Sequence, residues 1–158
     1  MPRLPDRFDL WVRKARACPD EARQADYVLG ALAGLKEWHF LNVGTKEAPE
    51  AAATRTGDDP CRIVCTDVGR IEDLLRESAN RREPLPVITI PTAAAMTWCV
   101  EGRVGLFVNP GEDAVMVPCD RLRIFHTEWT QRGSRLAAGF WIPNLTTEEE
   151  DFWQEHGY

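Results

Sequence analysis

The side chains of this 158-residue chain that could do chemistry are its five cysteines, its three histidines and a few adjacent acids. Cys61 and Cys65 bracket Arg-Ile-Val, and on a strand residues 61, 63 and 65 would share one face, with Ile63 in the middle. Burial of small cysteine side chains explains that pattern. A zinc site would need two further ligands, and Cys99, Cys119, His39 and His126 offer none of the tight paired spacing that such sites use. A second chemistry would set Cys99 or Cys119 as a nucleophile beside His126 or His39, with thiolate character lent by a helix start. No nucleophile-elbow sequence accompanies it. Third, Thr66-Asp67-Val68-Gly69-Arg70 follows a strand pattern and opens a helix, a place where anions bind. It has neither a Walker sequence nor spaced glycines, and Asp67 reads better as a helix cap. Asp58-Asp59 and Glu112-Asp113 read as loop acids rather than as catalytic pairs. These residues assign no catalytic group, no metal and no cofactor.

Composition narrows the classes further. Hydrophobic residues make up 44% of the chain, the ordinary proportion for a globular domain. Nineteen Lys and Arg stand against 25 Asp and Glu, a net charge of -6, which argues against a nucleic-acid binder. Two local basic groups, Arg13-Lys14-Arg16 and Arg121-Arg123, read as solvated positions. No apolar run approaches the ~20 residues of a membrane span, and the first residues lack the apolar core of a secretory signal. An odd cysteine count at irregular spacing does not resemble a secreted disulfide framework. A soluble, cytoplasmic protein is the expectation, with no membrane partner.

The elements that must position these residues follow from periodicity. Phe8, Val12 and Ala15 recur at helical spacing, with Leu10 and Trp11 alongside, and Pro19 interrupts. Asp20 caps a second helix, whose face is Ala25, Val28, Leu29 and Leu32 and which runs to about Gly34. Residues 35–43 suit a first strand, and residues 44–60 read as a mobile loop or hairpin tip. Residues 62–66 form a second strand. Asp67 caps a helix with Ile71, Leu74 and Leu75 on one face, and residues 80–84 are turn-like. Residues 85–90 form a β-branched third strand closed by Pro91, and Thr92 caps a short helix carrying Ala95, Met96, Cys99 and Val100.

The stretch Gly-Arg-Val-Gly-Leu-Phe-Val-Asn-Pro-Gly at 102–111 joins two apolar runs. Asn109, Pro110 and Gly111 fit the first three positions of a type II turn, with Gly111 supplying positive φ. Residues 118–142 allow two readings. Leu122, Phe125 and Trp129 fit a helical face starting from a cap at Asp120, which is preferred. Alternation of Leu122 and Ile124 with Arg121 and Arg123, plus a turn at Arg132-Gly133-Ser134, would instead make a hairpin into residues 136–142. Strands and helices alternate through the middle, so the expectation is an α/β or α+β single domain with a small mixed sheet of about five strands flanked by helices.

Aromatic residues gather at the end: Phe140, Trp141, Ile142, Phe152, Trp153 and Tyr158. Thr146 or Thr147 with Glu149 or Glu150 makes a capping box for a last helix, on which Phe152 and Trp153 lie roughly 100° apart. A helix that short must dock. It docks on its own domain or presents Trp141, Phe152 and Trp153 as protein-contact residues. Residues 1–143 are read as the domain and 144–158 as an aromatic-rich helical tail.

The order strand, helix, strand, helix and then Gly-Leu-Phe-Val-Asn-Pro-Gly at 105–111 resembles the SseB-like N-terminal domain. The likeness extends to residues 35–40, to 63–67 with the Arg70-Ile71 helix, and to 85–91, over roughly residues 28–130. It implies a bacterial, cytosolic domain that acts by binding, and the family supplies no catalytic residue. The expectation for function is therefore a binding or regulatory module working through protein–protein contacts, by a protein partner or self-association. The alternative is a small cysteine-dependent hydrolase or transferase.

Overall fold

The computed structural model describes Leu4 and residues 6–56, 58–76, 86–111, 114–131, 146–149 and 151. Two helices built on local signals come first. Helix α1 (Arg7–Ala17) opens on a capping box in which the Asp6 carboxylate accepts from the Asp9 amide at 2.9 Å, and the Asp9 carboxylate accepts from the Asp6 amide at 3.0 Å. Phe8, Trp11, Val12 and Ala15 are its buried stripe. Asp20 caps helix α2 (Glu21–Ala33) through the Ala22 amide at 3.0 Å, and Gly34 ends it. Ala25, Val28, Leu29 and Leu32 are buried as expected, and so are Tyr27, Gly30 and Ala33. The reason is that α2 is wedged between α1 and the helices α4 (Thr92–Glu101) and α5 (Cys119–Gln131).

Six strands form one mixed sheet: β1 (Glu37–Leu41), β2 (Ala53–Thr56), β3 (Asp59–Cys65), β4 (Val87–Pro91), β5 (Gly105–Val108) and β6 (Val115–Val117). Their order is β4-β1-β3-β5-β6, with β2 also beside β3. Strand β3 runs parallel to β5, from Cys61 opposite Gly105 to Val64 opposite Val108. Its other edge is divided. β2 pairs with the first half, Ala53 opposite Arg62 through Thr56 opposite Asp59, and β1 takes the end, Phe40 opposite Val64 and His39 opposite Cys65. A parallel pair needs a long crossover, supplied here by helix α3 (Val68–Arg76), β4 and α4.

The alternation of side chains divides the sheet into two unlike faces. Trp38, Phe40, Val64, Leu106, Val108 and Val117 point into the main core with α1, α2, α4 and α5. Side chains of the size of Trp38 and Phe40 stabilise the fold by about 1.5–3 kcal/mol each when fully buried. Trp38 brings its indole N–H to the Leu32 carbonyl at 2.9 Å, which satisfies both an interior donor and an end of α2. On the other face Cys65, Ile71 and Leu75 make a small separate cluster, with Leu41, Leu74 and Val87 packed on it.

Two sequence expectations are resolved here. Of the two readings of 44–60, mobile loop or hairpin tip, the hairpin holds: the stretch contains β2, which pairs antiparallel with β3. Its low hydrophobicity reflects an outer strand whose Ala53 and Arg55 face solvent. Thr92 does not cap α4 with its side chain. It is buried and donates its hydroxyl to the Leu35 carbonyl, tying the head of α4 to the entry of β1. The small mixed sheet flanked by helices is as expected, with β2 as its sixth strand. The helical reading after Pro118 holds: α5 buries Leu122, Phe125 and Trp129, starting one residue before Asp120. Residues 80–84 and the alternative hairpin at 132–142 lie outside the described residues.

Gly105 carries a constraint invisible to periodicity. A methyl group on it would sit 2.6 Å from the Val117 carbonyl oxygen and 3.2 Å from the Cys61 sulfur, so β5, β6 and β3 close up only over a hydrogen. Gly105→Ala is expected to lower stability by about 1–3 kcal/mol, read as a fall in the urea midpoint. An unchanged midpoint would refute that packing account.

Candidate functional site

The C-terminal ends of the parallel strands β3 and β5 open side by side, and the motifs singled out in the sequence meet there. Asn109 follows β5 with φ 49, in the left-handed region that asparagine tolerates better than most residues. It is buried, and its amide N–H donates to the Val64 carbonyl at 2.9 Å. Its side chain completes the splice: Oδ1 accepts from the Thr66 amide at 3.0 Å, and Nδ2 donates to Thr66 Oγ1 at 3.1 Å. Asparagine thus extends the β3–β5 pairing one residue beyond the ladder.

The turn itself differs from the type II expectation. Gly111 has φ 138, far from the roughly +80° of a type II third position. The left-handed residue is Asn109, and the closing hydrogen bond runs from the Ala114 amide to the Gly111 carbonyl at 3.3 Å. Pro110 stands between the two. Strands β5 and β6 do pair as an antiparallel hairpin, Leu106 opposite Val117 through Val108 opposite Val115.

Beside this crest, Asp67 accepts from the Arg70 amide at 3.2 Å, as its reading as a cap requires. Arg70 then reaches across to α1. Its Nη2 donates to Asp6 at 2.7 Å and to both oxygens of Asp9 at 2.9 Å, while Nε donates to Asp67 at 3.3 Å. Burial alone would lower the guanidinium's pKa, but the bonds to Asp6 and Asp9 outweigh it and the net direction is up. The helix start suggested for an anion is therefore occupied by a carboxylate, and the nearby cation is engaged by three more oxygens. What the arrangement does is clamp the N-termini of α1 and α3 together.

His39 stands opposite Cys65 in the β1–β3 pairing, and His39 and His126 each bring a ring nitrogen to a threonine hydroxyl. His39 Nδ1 lies 2.9 Å from the Thr89 hydroxyl, and His126 Nε2 lies 3.1 Å from the Thr97 hydroxyl. Burial pushes the His126 imidazole pKa down, partly countered by Glu101. Cys99 sits in the last turns of α4, not at a helix start; its thiol accepts from Arg62 at 3.8 Å. Arg62 also donates to the Trp98 carbonyl at 3.1 Å and stacks over the Trp98 ring with its central carbon 3.7 Å from the centroid. Cys119 does begin α5, yet burial and then Asp120 push its pKa up, and burial does the same to Cys99. The thiolate character expected of a helix-start cysteine is overridden by these neighbours. None of the five cysteines is in a disulfide. Among the described residues no group of three His, Cys, Asp or Glu gathers as a metal site would need.

Cys61, Ile63 and Cys65 share a face as read from the sequence, and that face carries the feature which single-residue reasoning missed. Ile63 stands opposite Phe107, and Phe107 opposite Met116, in register across β3, β5 and β6. All three are half-buried. They point away from the main core, and among the described residues α3 packs over β1 and β3, with Val87 of β4 against its cluster. Together the three make an apolar strip three strands wide. The register that aligns it is set by pairings that no local pattern reveals.

The tail contributes one described contact to the body. Thr146 and Glu149 form the expected capping box, with Thr146 N–H to Glu149 at 3.1 Å and Glu149 N–H to the Thr146 hydroxyl at 3.2 Å. Glu149 also accepts from Arg23 of α2, at Nε over 3.0 Å and from Nη2 as well. Burial would raise the Glu149 carboxyl, but the bonds from Arg23, Tyr27 and Thr146 hold it down at about 2. This segment docks on its own domain. Trp141, Phe152 and Trp153 lie outside the described residues, whereas Asn109, Pro110 and Gly111 are at the β3–β5 crest.

Comparison of the chain with protein-family models, with curated proteins and with solved structures finds no match. No described helix is long and apolar enough to cross a membrane.

Two outcomes test this geometry. Asn109→Ala is expected to destabilise by about 2–4 kcal/mol, from the orphaned Thr66 amide and the left-handed backbone together. Asn109→Gly should recover only the backbone part, so a glycine variant with the wild-type urea midpoint would refute the side-chain splice. Glu149 has a folded pKa depressed from 4.5 to about 2, so its stabilisation is complete above the higher value and lost as pH falls between them. Glu149→Gln should flatten that stretch of the stability–pH curve, and an unaltered curve would contradict the pairing with Arg23.

Proposed function

We propose that the chain is a binding or regulatory module of SseB-like type that works through protein contacts in the bacterial cytoplasm, without a catalytic step of its own. The observation that carries this reading is the apolar strip Ile63–Phe107–Met116, aligned across three strands on the face away from the main core. An apolar surface with order imposed by a rigid sheet suits association with another protein. The rings of His39 and His126 are engaged by the hydroxyls of Thr89 and Thr97, which supports a structural role for both. Trp141, Phe152 and Trp153 belong to the proposal as further contact residues, on the strength of their sequence clustering alone.

The test uses the full chain in its host. Phe107 replaced by a photo-cross-linking amino acid is expected to trap a discrete protein adduct, either a partner or a second copy. Met116→Arg, placing a charge beside it, should cut the yield roughly ten-fold while thermal melting is unchanged. Absence of any adduct, or an adduct indifferent to the arginine, would overturn the assignment of this face.

A further inference from the structure

We draw no further inference here: the strongest candidate, the basic outer face of α1 on which Arg7, Arg13, Lys14 and Arg16 surround the exposed Leu10, carries nothing because Arg13, Lys14 and Arg16 already interact within the chain and nothing in the structure shows what covers that face.

Discussion

Strand β3 pairs with three other strands, and much of the molecule is arranged around it. One edge runs parallel to β5, which obliges the chain to cross over through α3, β4 and α4 before returning. The other edge is longer than either neighbour, so β1 and β2 share it end to end and are joined by the Asn42–Ala51 bridge. Past the last ladder pair, backbone partners run out. Asn109 takes over, folding into the left-handed region so that its amide and both ends of its side chain serve Val64 and Thr66. A buried strand end without such a substitute would leave donors unpaired at a cost of about 1–3 kcal/mol each.

The inequality of the two sheet faces follows from that topology. Four helices crowd one face because α1 and α2 precede the sheet, α4 lies in the crossover and α5 follows the hairpin. Among the described residues α3 is the helix that packs on the other, over β1 and β3. The β5–β6 end of that face keeps an apolar register of half-buried Ile63, Phe107 and Met116, and the contact reading starts there.

Charge serves the architecture in two clamps of similar logic. Arg70 holds Asp6, Asp9 and Asp67, joining two helix starts at the crest. Arg23 holds Glu149, joining the tail to α2. The first is deep, with Asp9 only 6% exposed at the side chain, and breaking one partner would strand a buried charge. The second is shallower and joins α2 to an otherwise exposed segment. His39 and His126 meet threonine hydroxyls, and Cys99 meets Arg62.

The elements legible in the residues alone were those with short-range causes. Asp20 and Asp67 cap within three residues, Phe8, Val12 and Ala15 repeat within two turns, and Leu122, Phe125 and Trp129 hold their helix against a rival hairpin. The one-face grouping of Cys61, Ile63 and Cys65 was legible for the same reason, since alternation is a property of the strand itself. The hydroxyl of Thr92 turned to Leu35, the left-handed Asn109 and the span of Arg70 to α1 were not. Each depends on a partner tens of residues away, whose position is set by packing and strand register. Local periodicity encodes which face of an element is apolar. It does not encode which surface meets that face, and the apolar strip and both clamps exist only once those meetings are made.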